Sequence, residues 1–132
     1  MPFNDESLYV YRARVVRVID GDTVETEVDL GFSVKITRKL RLYGIDTPEM
    51  RGDEKERGAE ARDHLIKLCY LYALNQQGGR VLDSPILLVK TYKDKSGKFG
   101  RMLGTLVGLE DDEPIDLNQR MVEDSFAIPF GK

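Results

Sequence analysis

Cysteine is almost absent: Cys69 stands alone among 132 residues. No intrachain disulfide can form, which excludes a small secreted fold framed by disulfides. Histidine is equally scarce, and His64 has no paired His or Cys at the spacing a zinc site needs. Apolar runs stay short of the ~18 residues that would span a bilayer. The opening Met1-Pro2-Phe3-Asn4-Asp5-Glu6-Ser7 lacks a basic n-region and an apolar h-region, so no signal peptide is read and an intracellular, membrane-free setting is expected. A surplus of positive charge is missing too. With 20 basic against 23 acidic side chains the net charge is −3, which rules out a uniformly basic nucleic-acid coat.

What is present is an ordinary globular balance, 41% hydrophobic and 33% charged, at a mass suited to one domain. Folding at this size buries roughly two-thirds of the unfolded surface, enough for a core without staples. We read residues 1–8 as an N-terminal extension and 9–132 as the domain. Charge is unevenly spread. Lys35, Arg38, Lys39 and Arg41 crowd one stretch without an acid; Lys90, Lys93, Lys95, Lys98 and Arg101 face only Asp94. Glu110 to Asp116 holds five acids and no base. Such local polarity suits a confined phosphate site better than a long groove, and equally suits solvated faces.

Tyr9–Ile19 reads as a strand rich in Tyr, Val and Ile. Thr23–Leu30 alternates, with Val24, Thr26, Val28 and Leu30 on one side and Glu25, Glu27 and Asp29 on the other, the period of a half-buried strand. After a turn at Leu30-Gly31-Phe32, strand character resumes from Ser33 to Ile45, completing a meander. The period then changes: Ala61, Leu65, Leu68 and Tyr72 mark one face of a helix between Glu54 and Leu74. Asn75 to Gly79 stops it. Two further strands follow, Ile86–Thr91 and Met102–Leu109, joined by a polar hairpin region from Lys93 to Gly100. Asp116 with Gln119 forms an N-cap pattern for a second helix whose stripe is Leu117, Met121 and Val122. Five strands with a helix after the third predict a mainly β, α+β fold: a five-stranded OB-fold barrel with two to three helices.

Two segments carry candidate chemistry. Asp20-Gly21-Asp22-Thr23 is a hairpin signal that leaves Asp22 unexplained. Asp46-Thr47-Pro48-Glu49 is also a turn, but its two carboxylates at a strand end, near Arg41 and with Asp22 as a third, suit a hard divalent cation. Arg41 interrupts the apolar Leu40-Leu42 stretch. An exposed strand arginine explains it, as does a phosphate contact, for which a planar guanidinium is well matched.

Asp20-Gly21-Asp22-Thr23, Arg41-Leu42-Tyr43-Gly44-Ile45-Asp46-Thr47-Pro48-Glu49, Gly58-Ala59-Glu60-Ala61 and Lys98-Phe99-Gly100-Arg101 occur in the order and spacing of the staphylococcal nuclease (thermonuclease) family. The likeness covers roughly residues 9–130, includes Leu117–Val122, and with Ala127-Ile128-Pro129-Phe130 resembles the phage and bacterial branch. The resemblance implies a calcium-dependent phosphodiesterase acting on DNA and RNA, leaving 3′-phosphates and 5′-hydroxyls, working as a monomer in the cytoplasm, or in a host cytoplasm or virion if phage-encoded. It implies that Asp22 and Asp46 bind calcium through side chains and Thr47 through its carbonyl, one ion in all, with Mg²⁺ or Mn²⁺ as alternatives. Glu49 would be the general base, Arg41 and Arg101 would clamp the scissile phosphate across a gap from the ion, and Lys98 and Phe99 would contact the substrate. Phe99 replaces the family's usual tyrosine, which loses a hydroxyl and keeps a stacking ring. A non-catalytic OB-fold nucleic-acid-binding module, or a phage structural component, is the alternative.

Overall fold

A computed structural model describes residues 9–81, 83–96 and 102–131. The extension 1–8 lies outside the described residues, as do Lys98, Phe99 and Arg101. The chain opens with β1 (Val10–Asp20), β2 (Thr23–Asp29) and β3 (Lys35–Leu42), an antiparallel meander. Inward residues alternate as the sequence predicts: Ala13 and Val15 from β1, Val24 and Val28 from β2, Leu40 and Leu42 from β3 are buried. The continuous third strand expected from Ser33 to Ile45 is shorter. It ends at Leu42 because Tyr43-Gly44 turns, with Gly44 at φ +80°, before the two-residue β4 (Ile45–Asp46). That turn is what aims Asp46 away from the direction of β3.

A short 3₁₀ turn, Gly52–Glu54, leads into α1 (Lys55–Leu71), whose buried face contains Ala61, Leu65, Leu68 and Cys69. The two-residue β5 (Gln76–Gln77) and β6 (Arg80–Val81) pair locally. β7 (Ile86–Ser96) returns beside β1, and β8 (Met102–Glu110) pairs with β7. The barrel closes where Leu40–Leu42 of β3 run parallel to Met102–Gly104 of β8. The result is a mainly β, OB-fold-like α+β architecture: five strands, β1, β2, β3, β7 and β8, closed into a barrel, with two helices. Among the described residues only Leu40–Leu42 of β3 take part in the closure, and the stretch Lys35–Lys39 pairs with β2 alone.

Among the strands not anticipated, β9 (Glu113–Asp116) extends the sheet beyond β8. Its acidic, Pro-containing sequence reads as loop, and pairing with β8 overrides that reading. It delivers Asp116 as N-cap of α2 (Leu117–Glu123), accepting from the Gln119 amide at 2.9 Å. α2 buries Leu117 and Met121, and also Asn118, which sequence reasoning left unexplained. The Asn118 amide bolts three segments: it accepts from the Leu106 N–H (3.1 Å) and donates to the carbonyls of Tyr43 (3.0 Å) and Gly104 (3.1 Å). Finally β10 (Ile128–Pro129) pairs with β4, setting Ile128 opposite Asp46. Among the described residues no helix is long and apolar enough to cross a membrane.

Candidate functional site

The β1–β2 turn, β4 and the mouth of α1 meet at one corner of the barrel. Asp22 sits in the two-residue turn between Asp20 and Thr23. The turn expected there exists, but Gly21 is needed for a reason other than a positive φ. A Cβ at Gly21 would lie 2.8 Å from the Ala61 Cβ and 2.9 Å from the Thr47 side chain. The glycine lets the Asp22 turn nest between α1 and Thr47, so three elements close on the same point. Gly58 does the same from the helix side: a Cβ there would overlap the Glu49 carbonyl oxygen. Two of the family-like motifs, around Gly21 and Gly58, are thus close-approach points that fix the Thr47–Glu49 segment.

Asp22 is buried. Its Oδ2 accepts from the Thr47 N–H at 3.1 Å and pairs with Arg41 Nη1 at 3.1 Å; its Oδ1 accepts from the Thr23 hydroxyl at 3.2 Å. Burial alone would raise this carboxyl. The hydrogen bonding with Asp20, the Arg41 charge and the Thr47 donors outweigh it and hold Asp22 below the ordinary carboxylate value. Asp20 moves oppositely. Burial first, then its hydrogen bond with Asp22 and the Asp22 charge, push it up to about 6. Asp46 is also raised, by burial and by the Asp22 charge, with Arg41 opposing.

Arg41 is the centre of this cluster. Its Nη1 also donates to the Ile45 carbonyl at 3.0 Å, and its Nη2 pairs with Asp46 Oδ1 at 3.3 Å. Its guanidinium carbon lies 5.9 Å from the Phe130 ring. Register explains the reach: Arg41 lies opposite Thr23, next to Asp22, and the Tyr43-Gly44 turn folds Asp46 back beside it. The structure therefore brings Asp22, Arg41, Asp46 and Thr47 together. The guanidinium rests on the carboxylates, however, and does not face them across a gap as expected.

Glu49 stands at the edge of an adjoining cleft of about 390 Å³. Asp46, Thr47, Glu54, Arg57 and Glu60 line it together with Phe126 and Ile128. The lining is acidic, so the cleft favours a cation over a bare phosphate. The Glu49 N–H donates to Glu54 Oε2 at 2.9 Å, while its own carboxylate has no partner among the described residues. Glu54, which sequence reasoning did not single out, thus positions Glu49 through the backbone. His64 is occupied by Asp124 Oδ2 at 2.7 Å and stacks on Phe126, which lines the cleft. Asp22 and Asp46 are the carboxylates able to hold a hard cation; among the described residues no group of three His, Cys, Asp or Glu gathers to hold a metal.

No protein-family model matches the chain. It is similar to Protein ParB of Escherichia coli, 31% identical over 124 residues, an alignment that takes in 90% of this chain and 57% of ParB. The chain therefore spans little more than half the length of that relative.

Proposed function

We propose that the chain is a calcium-dependent phosphodiesterase, a nuclease of the staphylococcal type that hydrolyses DNA and RNA with little sequence preference. The observation that carries this reading is the convergence of Asp22 and Asp46, from different β-segments, on one guanidinium beside Thr47. Two carboxylates already hold a positive charge at this point, and the buried Thr47 hydroxyl lies beside them. Such a donor set suits a hard, oxygen-preferring cation. Asp22 and Asp46 would hold it by their side chains and Thr47 by its carbonyl, with Mg²⁺ or Mn²⁺ as alternatives to Ca²⁺. Bound there, the ion would neutralise charge growing on the non-bridging phosphate oxygens.

The residues of the chain supply the rest. The Glu49 carboxylate, unpartnered at the cleft edge, accepts a proton from water as its oxygen bonds to phosphorus. The phosphorus–O5′ bond breaks, O5′ takes up a proton from solvent water, and the products carry 3′-phosphate and 5′-hydroxyl ends. Arg41, relieved of Asp22 and Asp46 when another cation balances them, turns its fork to the phosphate oxygens. Arg101 completes the clamp, with Lys98 and Phe99 contacting the substrate. The protein acts as a monomer.

A second reading has one observation in its favour: Arg41 is already committed to both carboxylates, as in a module that binds nucleic acid without cutting it. Incubation of plasmid and of single-stranded RNA with calcium or with chelator separates the two. Degradation that requires the metal supports the phosphodiesterase; a gel shift without degradation in either buffer overturns it.

A further inference from the structure

The outer face of the β1–β2–β3 meander carries charge that the candidate site does not use. On it two of the three acids of β2 are neutralised from β1: Glu27 pairs with Arg14 at 3.6 Å and Glu25 with Arg17 at 3.4 Å. On the other side, Lys35 stands in register opposite Asp29 and Lys39 opposite Glu25. Both lysines are exposed, and neither forms an ion pair among the described residues. Alternation places them on the same face of β3 as Arg41. A strand rise of ~3.3 Å puts Lys39 about 7 Å and Lys35 about 20 Å from Arg41 along the strand. An acidic protein thus keeps two exposed lysines without a close ion pair, among the described residues, on a line that ends at its candidate site.

The far end of this line is the β2–β3 turn, where Leu30, Phe32 and Val34 are exposed, Phe32 fully so at 100%. Phe32 and Ser33 adopt left-handed backbone angles, φ +54° and +62°. A bulky side chain is disfavoured there, and glycine or asparagine would serve a mere turn better. Lysines on a stretch that pairs on one side alone, among the described residues, can be explained as a guard against strand addition. That explanation does not cover a phenylalanine held in solvent at a strained position.

We infer that this line is a docking track for one single strand of nucleic acid, with bases stacking on Phe32 and phosphates lying on Lys35 and Lys39, leading to Arg41. An exposed ring needs unstacked bases, which a duplex hides. The inference rests on the proposed function only in taking this strand to be the substrate.

The test is fluorescence anisotropy of a labelled oligothymidylate of about 12 nucleotides with the whole protein in chelator, between about 50 and 200 mM salt. Lys35→Gln/Lys39→Gln is expected to weaken binding roughly tenfold and to flatten the slope of log affinity against log salt by about 1.4, two contacts' worth for a single strand. Phe32→Ala is expected to weaken it about 5–100-fold. Wild-type affinity and slope in these variants would overturn the track, and a duplex binding as tightly as the oligothymidylate would overturn the single-strand assignment. Cleavage separates this from the phosphodiesterase reading. If the wild type cuts nothing in calcium yet the variants lose binding, the track stands and the nuclease falls. If the wild type cuts and the variants bind normally, only the track falls.

Discussion

Arg41 and Asp22 form the pair on which the corner of the barrel is built, Nη1 to Oδ2 at 3.1 Å with both side chains largely buried. The same guanidinium reaches Asp46. Two carboxylates drawn together without their cation would repel, so Arg41 acts as the resident counter-charge of the site.

A direct consequence concerns metal affinity. A guanidinium that occupies the carboxylates competes with any ion that would use them. Arg41→Gln is therefore expected to bind calcium more tightly than the wild type in titration calorimetry, by roughly tenfold, while losing about 10²–10³ in hydrolysis rate for want of a phosphate contact. Unchanged or weaker calcium binding would show that Arg41 and the ion do not share these ligands.

Much of this was legible beforehand. Period-two alternation located β2, and the helical stripe Ala61-Leu65-Leu68-Tyr72 located α1, because each is a local pattern set by one buried face. The Asp116–Gln119 cap was equally local. Three things were not legible. The pairing of Ile128 with Asp46 joins residues far apart in sequence, and no local pattern announces a two-residue bridge. Nor does spacing say that Arg41 lies on its acids and not across from them; that follows from the Tyr43-Gly44 turn, where a continuous strand was expected. The same applies to Gly21, whose role depends on Ala61 and Thr47 packing against it.

Gly58 should tolerate no side chain. Its missing Cβ leaves room for the Glu49 carbonyl, so Gly58→Ala must push α1 away from the Thr47–Glu49 segment. Overpacking of this kind costs about 1–3 kcal/mol. Denaturant melts should show that loss, with activity falling further than stability alone explains because Glu49 moves. A variant as stable and active as wild type would mean that this contact is not needed.

Asn118→Ala tests the bolt between α2 and the barrel. It strands the Leu106 N–H in a buried place. A buried orphan of this kind costs about 1–3 kcal/mol, so a loss of about 1–3 kcal/mol is expected in urea unfolding. A loss under about 1 kcal/mol would indicate that water replaces the amide.

Asp20 makes stability depend on pH. Its folded value of about 6 exceeds the unfolded 3.8, so the folded state binds more protons between those limits. Stability from this group is therefore present at low pH and declines as pH rises from about 4 through 6. Asp20→Asn keeps an acceptor for the Asp22 N–H and removes the titration. In chelator, its melting temperature relative to wild type should rise by about 4 °C between pH 4 and pH 7, roughly 1 kcal/mol once the ~2–3 kcal/mol of the full shift is discounted for solvent screening of this partly exposed group. A pH-independent difference would contradict the assignment.

The most direct measurement is end-group analysis of DNA digested in calcium by the wild type and by Glu49→Gln. The account predicts 3′-phosphate and 5′-hydroxyl ends from the wild type, and a rate about 10²–10⁴-fold lower from a variant that melts like it. Ends of the opposite kind, or an undiminished rate without the Glu49 carboxylate, would contradict it.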